Sequence, residues 1–214
     1  MLETLDAIGL RHGTDKASDR NNLLAFYEQF LEKIRNERVC VLEIGVLNGG
    51  SARTWRDYFH RGHVIGVDID PETRKYADDR LTIHIADQSS VTDLDYIAKR
   101  FGPFDLIIDD GSHVWDHQIL TFKHLMPCVA AGGFYILEDL DTSYGKYVSN
   151  YKQANIFGIS AAEYLKELSD WVVGYRTFEN RDPADPDIRL IWPMIDFMAF
   201  SCGTAVIKRL IKAR

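Results

Sequence analysis

Short apolar runs alternate with segments of helical periodicity along most of this chain. The apolar runs are 39–45, 64–68, 81–85, 105–108 and 134–137, and the segments predicted as helices between them are 50–59, 71–78, 91–101 and 114–129. This alternation is typical of βαβ units, in which parallel strands are covered by helices on both faces. The runs are nearly all apolar, as expected of strands buried on both sides. The sequence therefore predicts an α/β fold with a Rossmann-like, doubly wound sheet.

The two ends of the chain show other patterns. Residues 1–37 are predicted to be helical, because segment 21–34 carries an apolar stripe at helical spacing. A helix is also predicted at 160–171, and segments 196–200 and 204–208 predict a closing antiparallel hairpin, so the sheet is mostly parallel.

The remaining segments are predicted as turns and loops. The Gly132-Gly133 pair is expected to cap the helix before the last parallel strand. The polar segment 141–159 is predicted to be a mobile loop over the site, and 180–187 is predicted to be a loop because it contains two prolines. We expect one domain over residues 1–214.

Charge and composition exclude several classes of protein. The net charge is −7, from 25 basic and 32 acidic residues, which argues against nucleic acid as a partner. No apolar run has the roughly 18 residues that a membrane span requires, and the first residues lack a basic signal region. The three cysteines lie far apart without a CxxC motif, which is typical of a reducing compartment. We therefore expect a cytoplasmic protein with no membrane partner.

The segment 41–51, VLEIGVLNGGS, predicts a strand followed by a glycine-containing turn and a helix. Glycines let the backbone approach a ligand, and a helix N-terminus offers unpaired N–H groups. Asp68 ends the next strand, where an acid can accept hydrogen bonds from a ribose diol. The spacing is neither the dinucleotide G-x-G-x-x-G nor a Walker motif. The glycine-containing turn together with Asp68 indicates nucleoside binding. Asp87 and Gln88 follow the third strand, where they would hold an adenine amino group or, alternatively, cap the next helix.

Two groups of acids follow the next two strands. DLIIDDGSH supplies Asp109, Asp110 and His113, and FYILEDLD supplies Glu138, Asp139 and Asp141. Carboxylates that converge at one sheet edge repel each other, and a hard divalent cation such as Mg²⁺ relieves that repulsion. The alternative is that these acids cap helices or face water separately. His113 is a candidate general base, because histidine titrates near neutral pH.

Two further histidines, His117 and His12, lie in or near these motifs. His117 lies one helical turn beyond His113, but a third nitrogen or sulfur ligand for zinc is missing from this segment. His12 opens the sequence HGTDK, in which Thr14 and Lys16 would neutralise a ligand carboxylate or, alternatively, form a surface turn.

These strings together resemble class I S-adenosylmethionine-dependent O-methyltransferases. HGTDK, VLEIGVLNGGSARTWRDYF, VIGVDID, FDLIIDDGSHVWDHQILTF and GGFYILEDLDTSY carry the resemblance, which covers 12–144. The most similar members are metal-dependent enzymes that methylate sugar hydroxyls of natural products. The resemblance implies Mg²⁺ ligands at Asp110, Glu138 and Asp139 and a general base at His113. It implies S-adenosylmethionine contacts at Glu43, Gly45, Ser51, Asp68, Asp87 and Gln88, to which we add Asp109, Thr14 and Lys16.

The implied reaction is methyl transfer from S-adenosylmethionine to a hydroxyl of a small-molecule acceptor, either a sugar or a polyketide-type natural product. Trp115, Tyr144 and Tyr147 are candidates to line the acceptor site, although core packing explains Trp115 better. A homo-oligomer is expected by analogy with the family. Two alternatives stay open: a non-catalytic S-adenosylmethionine-binding module, and a NAD-dependent oxidoreductase, which the glycine spacing disfavours.

Overall fold

The computed structural model describes residues 2–174, 182–183 and 185–212. The chain forms two compact units, Met1–Asp87 and Gln88–Arg214. Each unit has its own helices and strands.

The first unit contains three parallel strands and three α-helices. They are α1 (Leu5–His12), α2 (Leu24–Leu31), β1 (Cys40–Ile44), α3 (Gly50–Tyr58), β2 (His63–Asp68) and β3 (Leu81–Ile85), with 3₁₀ turns at Glu32–Ile34 and Pro71–Tyr76. The strand order is β3-β2-β1, and Leu42 and Ile65 are partners in the register. The central strand β2 is apolar and almost wholly buried, as predicted for a strand covered on both faces.

The second unit contains the other strands. Its elements are α4 (Val91–Phe101), β4 (Phe104–Asp109), α5 (Trp115–Leu125), β5 (Val129–Leu137), α6 (Val148–Tyr151), α7 (Ala161–Gly174), α8 (Ile188–Ile191), β6 (Ile195–Ser201) and β7 (Thr204–Arg209). Short 3₁₀ turns lie at Met126–Cys128, Leu140–Ser143, Gly145–Tyr147 and Trp192–Met194. The strand order is β4-β5-β7-β6. Strands β4 and β5 are parallel, whereas β7 is antiparallel to both β5 and β6.

The predicted fold class is confirmed: the strands are mostly parallel and the chain closes on an antiparallel hairpin. The bounds of β3 and α4 agree with the sequence prediction residue by residue. Helix α4 begins where it does because the Ser90 hydroxyl accepts a hydrogen bond from the Asp93 N–H at 3.2 Å.

The prediction for Gly132 and Gly133 was wrong. Helix α5 ends at Leu125, and Pro127 in the following 3₁₀ turn cannot continue a helix. Both glycines therefore lie inside β5, where a Cβ on Gly133 would come within 2.7 Å of the Asp105 carbonyl oxygen. Glycine thus permits close approach of two strands rather than ending a helix.

Other predicted segments differ in detail. Segment 71–78, expected to be a helix, forms the 3₁₀ turn Pro71–Tyr76. Segment 141–159 is expected to be a mobile loop. It contains most of the 3₁₀ turn Leu140–Ser143, the 3₁₀ turn Gly145–Tyr147 and helix α6. The predicted loop 180–187 lies partly outside the described residues, and prediction of a single domain stays a prediction. Among the described residues, no helix is long and apolar enough to cross a membrane.

Candidate active site

The glycine-containing turn after β1 is tightly folded. Gly45 and Gly49 have φ angles of 92° and 70°, in the region that favours glycine. A Cβ on Gly49 would lie 2.7 Å from the Tyr76 ring, so a larger residue would clash there. The Asn48 side chain accepts a hydrogen bond from the Gly50 N–H at 2.9 Å, which secures the start of α3. The turn is therefore compact and preformed.

Asp68 braces this turn. Its Oδ2 accepts hydrogen bonds from the backbone N–H groups of Val46 and Leu47, each at 2.9 Å. Its Oδ1 accepts from the Asp70 N–H at 2.9 Å. Each carboxylate oxygen has more than one acceptor site, so ribose binding stays compatible with this geometry. The bracing role was not visible from the sequence, because the bonded residues lie 21 and 22 positions away.

Glu43 and Ser51 lie on either side of the same turn. Glu43 is fully buried, and its Oε1 accepts a hydrogen bond from the Trp55 indole N–H at 3.0 Å. The bond ties β1 to α3. Ser51, in the first turn of α3, is 8% exposed. Both stay predicted cofactor contacts.

The HGTDK segment packs against the N-terminus of α3. A Cβ on Gly50 would lie 3.2 Å from the His12 carbonyl oxygen and 3.3 Å from the Thr14 Cα. Thr14 and Lys16 are 3% and 1% exposed, which contradicts the alternative of a surface turn. Their proposed contact with a cofactor carboxylate stays a prediction.

A network of charges surrounds Asp57 on α3. Its carboxylate contacts His12 at 2.7 Å, Arg11 at 3.0 Å and Arg56 at 2.8 Å. Burial alone would raise the pKa of Asp57, but the hydrogen bonds from His12, Arg11 and Arg56 outweigh it and lower the pKa to about 2. His12 is therefore engaged in the structure of the first unit.

In the second unit, Asp109 at the end of β4 is buried in a polar network. Its Oδ2 accepts a hydrogen bond from the Tyr135 hydroxyl at 2.9 Å, and its Oδ1 accepts from the Gln88 amide at 2.5 Å. Burial raises the pKa of Asp109 to about 7, although these two hydrogen bonds lower it. Gln88 also accepts a hydrogen bond from the Ser112 N–H at 2.9 Å. Gln88 and Asp109 thus order the turn after β4, and Tyr135 is a member that the sequence analysis missed.

Asp87, the last residue of the first unit, is half-buried between β3 and α4. Because Ser90 caps α4, the alternative role of Asp87 and Gln88 as helix caps does not apply. Their predicted contact with adenine stays a prediction.

Asp110, His113 and Asp139 form a cluster at the ends of β4 and β5. One potential ligand atom from each lies within 4.8 Å of the others. His113 Nδ1 is 3.2 Å from Asp139 Oδ2, yet this buried nitrogen makes no hydrogen bond. The carboxylates of Asp110 and Asp139 offer oxygen donors at separations that suit a hard divalent cation, with the His113 imidazole beside them. The residues therefore fit a metal.

The backbone of this cluster is strained at two positions. His113 and Asp139 have φ angles of 58° and 54°, in the left-handed region. Asp and His enter this region more often than most residues, but each such residue carries a conformational cost. Strain of this kind concentrates at functional sites, where a particular side chain is needed.

Glu138 occupies a different environment from Asp139. Its backbone N–H donates to the Asp109 carbonyl at 3.0 Å, and its own carbonyl accepts from the Gln118 amide at 2.8 Å. Its residue exposure is 3%, and it is not one of the three residues whose ligand atoms cluster. Its role as a Mg²⁺ ligand stays a prediction.

Four aromatic residues of the segments that follow β4 and β5 differ in how exposed they are and in what they contact. The Tyr151 ring lies 6.1 Å from the His113 ring, centre to centre. Trp115 is 5% exposed and donates to the Thr142 carbonyl at 3.2 Å, so it packs in the core. Tyr144 and Tyr147 are 49% and 38% exposed and remain candidates for the acceptor site. His117 Nδ1 lies 2.8 Å from the Ser112 hydroxyl and is not part of the cluster.

Comparison with known proteins agrees with this geometry. Residues 42–140 match a family model described as a methyltransferase domain. The chain is 42% identical over 147 residues to 8-demethyl-8-alpha-L-rhamnosyl tetracenomycin-C 2'-O-methyltransferase of Streptomyces olivaceus, covering 65% of this chain and 38% of that protein. It is 38% identical over 148 residues to mycinamicin VI 2''-O-methyltransferase of Micromonospora griseorubida, covering 65% and 37%.

A solved structure, MycE methyltransferase from the mycinamycin biosynthetic pathway in complex with Mg and SAH, superposes with a TM-score of 0.82 at 29% identity. The match covers 98% of this chain and 55% of that chain. The chain thus spans about half, or less, of the length of these proteins.

Residues 42–140 are thus similar to methyltransferase domains, and the described fold is that of a solved methyltransferase. Among methyltransferases, the chain is similar to the sugar O-methyltransferases of antibiotic biosynthesis, and the identification made from the sequence motifs is confirmed.

Proposed function

We propose that this protein transfers a methyl group from S-adenosylmethionine to a sugar hydroxyl on a polyketide-type natural product, with Mg²⁺ as cofactor. The observation that carries the proposal is the cluster of Asp110, His113 and Asp139 at the ends of two neighbouring strands. The relatives' names, which specify O-methylation of sugars, and a similar structure that holds Mg and SAH support it.

The metal would be held by Asp110, Asp139 and Glu138. When bound, a divalent cation lowers the pKa of a coordinated hydroxyl and orients it. The carboxylates serve this purpose through their charge and oxygen donors. A vicinal diol offers two oxygens at once, which favours a sugar as the acceptor.

His113 would accept the proton from the acceptor hydroxyl. Its Nδ1 faces the Asp139 carboxylate at 3.2 Å, so the proton would be taken at Nε2. The neighbouring carboxylate stabilises the imidazolium that forms. Removal of the proton makes the oxygen a competent nucleophile for attack on the methyl carbon, and the sulfonium supplies the leaving group.

The cofactor would be bound chiefly by the glycine-containing turn. Gly45 and the start of α3 offer backbone approach and N–H groups, and Asp68 is available to the ribose while it braces the turn. Asp87 would also contact the cofactor, and Thr14 and Lys16 would neutralise the carboxylate of the methionine moiety. Gln88 and Asp109 are cofactor contacts predicted from the sequence. A homo-oligomer and a cytoplasmic location are part of the same proposal.

The test is a methylation assay. Purified protein is incubated with S-adenosylmethionine and 8-demethyl-8-alpha-L-rhamnosyl tetracenomycin C, with Mg²⁺ or with excess EDTA, and products are measured by mass spectrometry. A product heavier by one methylene that requires Mg²⁺ supports the proposal. S-adenosylmethionine binding by calorimetry without any methylated product would favour the binding module, and binding of NAD instead would favour the oxidoreductase.

A further inference from the structure

A cavity of about 450 Å³ lies in the second unit beside the segment that follows β5. Its walls include Leu140, Tyr144, Ala162 and Phe200, and polar groups of Lys166 and Ser201 lie among them. This volume is within the range of small-molecule sites.

Two aromatic side chains are exposed at this cavity. Phe200 is 50% exposed and Tyr144 is 49% exposed, while Leu140 and Ala162 are 6% exposed each. When a flat apolar ligand covers an exposed aromatic ring, apolar surface is removed from water, and this favours binding. The Lys166 ammonium lies 5.1 Å from the centre of the Tyr144 ring, which holds a charge at the edge of this surface.

The cavity and the acid cluster share one short segment of chain. Leu140, a wall residue, directly follows Asp139, and its N–H donates to the Gly203 carbonyl at 2.8 Å. The Thr204 hydroxyl donates to the Leu137 carbonyl at 3.1 Å, which fixes the β6–β7 turn to the end of β5. The walls of the cavity are therefore held in a fixed relation to the end of β5, two residues before Asp139.

We propose that this cavity binds the apolar, ring-containing aglycone of a glycosylated polyketide, while the sugar hydroxyl reaches the acid cluster. The inference rests on the proposed function and adds the part of the acceptor that gives selectivity. The aglycone contributes binding through apolar contact with Phe200, Tyr144 and Leu140. The sugar alone lacks this contact, so an unattached sugar is the weaker acceptor.

The test separates the aglycone from the sugar. Tetracenomycin C, a sugar-free aglycone, is titrated by calorimetry into the wild type and into the Phe200→Ala and Ser201→Trp variants. Loss of the Phe200 ring should weaken binding about fivefold to tenfold. The Trp side chain at position 201, which is exposed, should fill the cavity and weaken binding more than tenfold. Tyr96→Ala is the control, because Tyr96 is 50% exposed on α4 and does not line the cavity.

The outcomes distinguish the two proposals. Absence of tetracenomycin C binding to the wild type, or equal binding to all four proteins, overturns the cavity assignment even if rhamnosylated acceptors are methylated. Binding that is lost in the two cavity variants, without any methylation of the rhamnoside, keeps the aglycone site and overturns the proposed function. With both correct, Phe200→Ala raises KM for the rhamnosylated acceptor and leaves turnover of methyl α-L-rhamnopyranoside unchanged.

Discussion

The glycine-containing turn of the first unit and the acid cluster of the second unit solve the same backbone problem differently. The first turn has left-handed positions at Gly45, Leu47 and Gly49, two of them glycines, and Asp68 accepts hydrogen bonds from the N–H groups of Val46 and Leu47. The acid cluster places His113 and Asp139 in left-handed positions and leaves the His113 Nδ1 without a hydrogen bond. The first turn is thus closed by its own hydrogen bonds, whereas the second region holds a buried ring nitrogen that makes no hydrogen bond. This difference supports the catalytic role proposed for the second region.

The largest expected effect comes from His113. His113→Ala should lower turnover by about 10²–10⁴-fold, the usual contribution of a general base, with Mg²⁺ affinity little changed. Turnover at saturating Mg²⁺ and the Mg²⁺ concentration for half-maximal activity are measured separately for the wild type and the variant. His113→Asn is the matched control for backbone geometry, because Asn also tolerates the left-handed region. A large loss of Mg²⁺ affinity with little change in turnover at saturating Mg²⁺ would identify His113 as a metal ligand instead.

Asp68 tests the completeness of the first region. Asp68→Ala removes the acceptor of three backbone hydrogen bonds and the predicted ribose contact. S-adenosylhomocysteine binding, measured by calorimetry, should weaken by about 1.5–3 kcal/mol, the scale of hydrogen bonds to a charged group. Glu72→Ala, an exposed acid of the same unit, should bind normally. Unchanged affinity in a folded Asp68→Ala protein would refute the ribose assignment.

Asp139 tests the ligand capacity of the second region. Asp139→Asn keeps the shape and tolerates the same backbone angle but removes one charge. The Mg²⁺ concentration for half-maximal activity should rise about tenfold, or roughly 1.4 kcal/mol of binding free energy. Asp170→Asn, an exposed acid on α7 outside both the cluster and the cavity, serves as the control. Equal Mg²⁺ requirements in wild type and Asp139→Asn would exclude Asp139 as a ligand.

The smallest effect concerns the charge network of the first unit. The Asp57 pKa of about 2 lies below its ordinary value of 3.8, so the ionised form stabilises the fold. This stabilisation is present above about pH 4 and is lost as pH falls from about 4 toward 2. Asp57→Asn should therefore lower the free energy of unfolding by about 1 kcal/mol at pH 7, after allowance for solvent screening. The difference in the free energy of unfolding between wild type and Asp57→Asn, measured by urea unfolding, should vanish near pH 2. A difference that persists at that pH would show that packing, not charge, is responsible.

Much of the fold was predictable because its signals are local. The cap at Ser90 and the apolar periodicity set α4, and the short apolar run set β3. The role of Gly132 and Gly133 was not predictable, because a glycine pair after a helix indicates a cap unless the neighbouring strand is known. Close approach to the Asp105 carbonyl is a tertiary feature.

The candidate site shows the same division. That Asp110, His113 and Asp139 converge follows from two strands ending in acids, which the sequence displays. The buried network of Gln88, Asp109 and Tyr135 joins residues 21 and 26 positions apart and has no signature in the sequence. Glu138 and Asp139 are neighbours in sequence, yet Glu138 is buried whereas Asp139 is half-buried with a left-handed backbone angle, a difference that the sequence does not display.

The burial of Lys16 has a consequence for chemical labelling. Its amine belongs to a side chain that is 1% exposed, so an amine-reactive reagent cannot reach it while the HGTDK segment is packed on α3. Modification requires this segment to open, and the labelling rate then reports the equilibrium of that opening. The ratio of the acylation rate of Lys16 to that of an exposed lysine therefore gives the free energy of opening of the HGTDK segment.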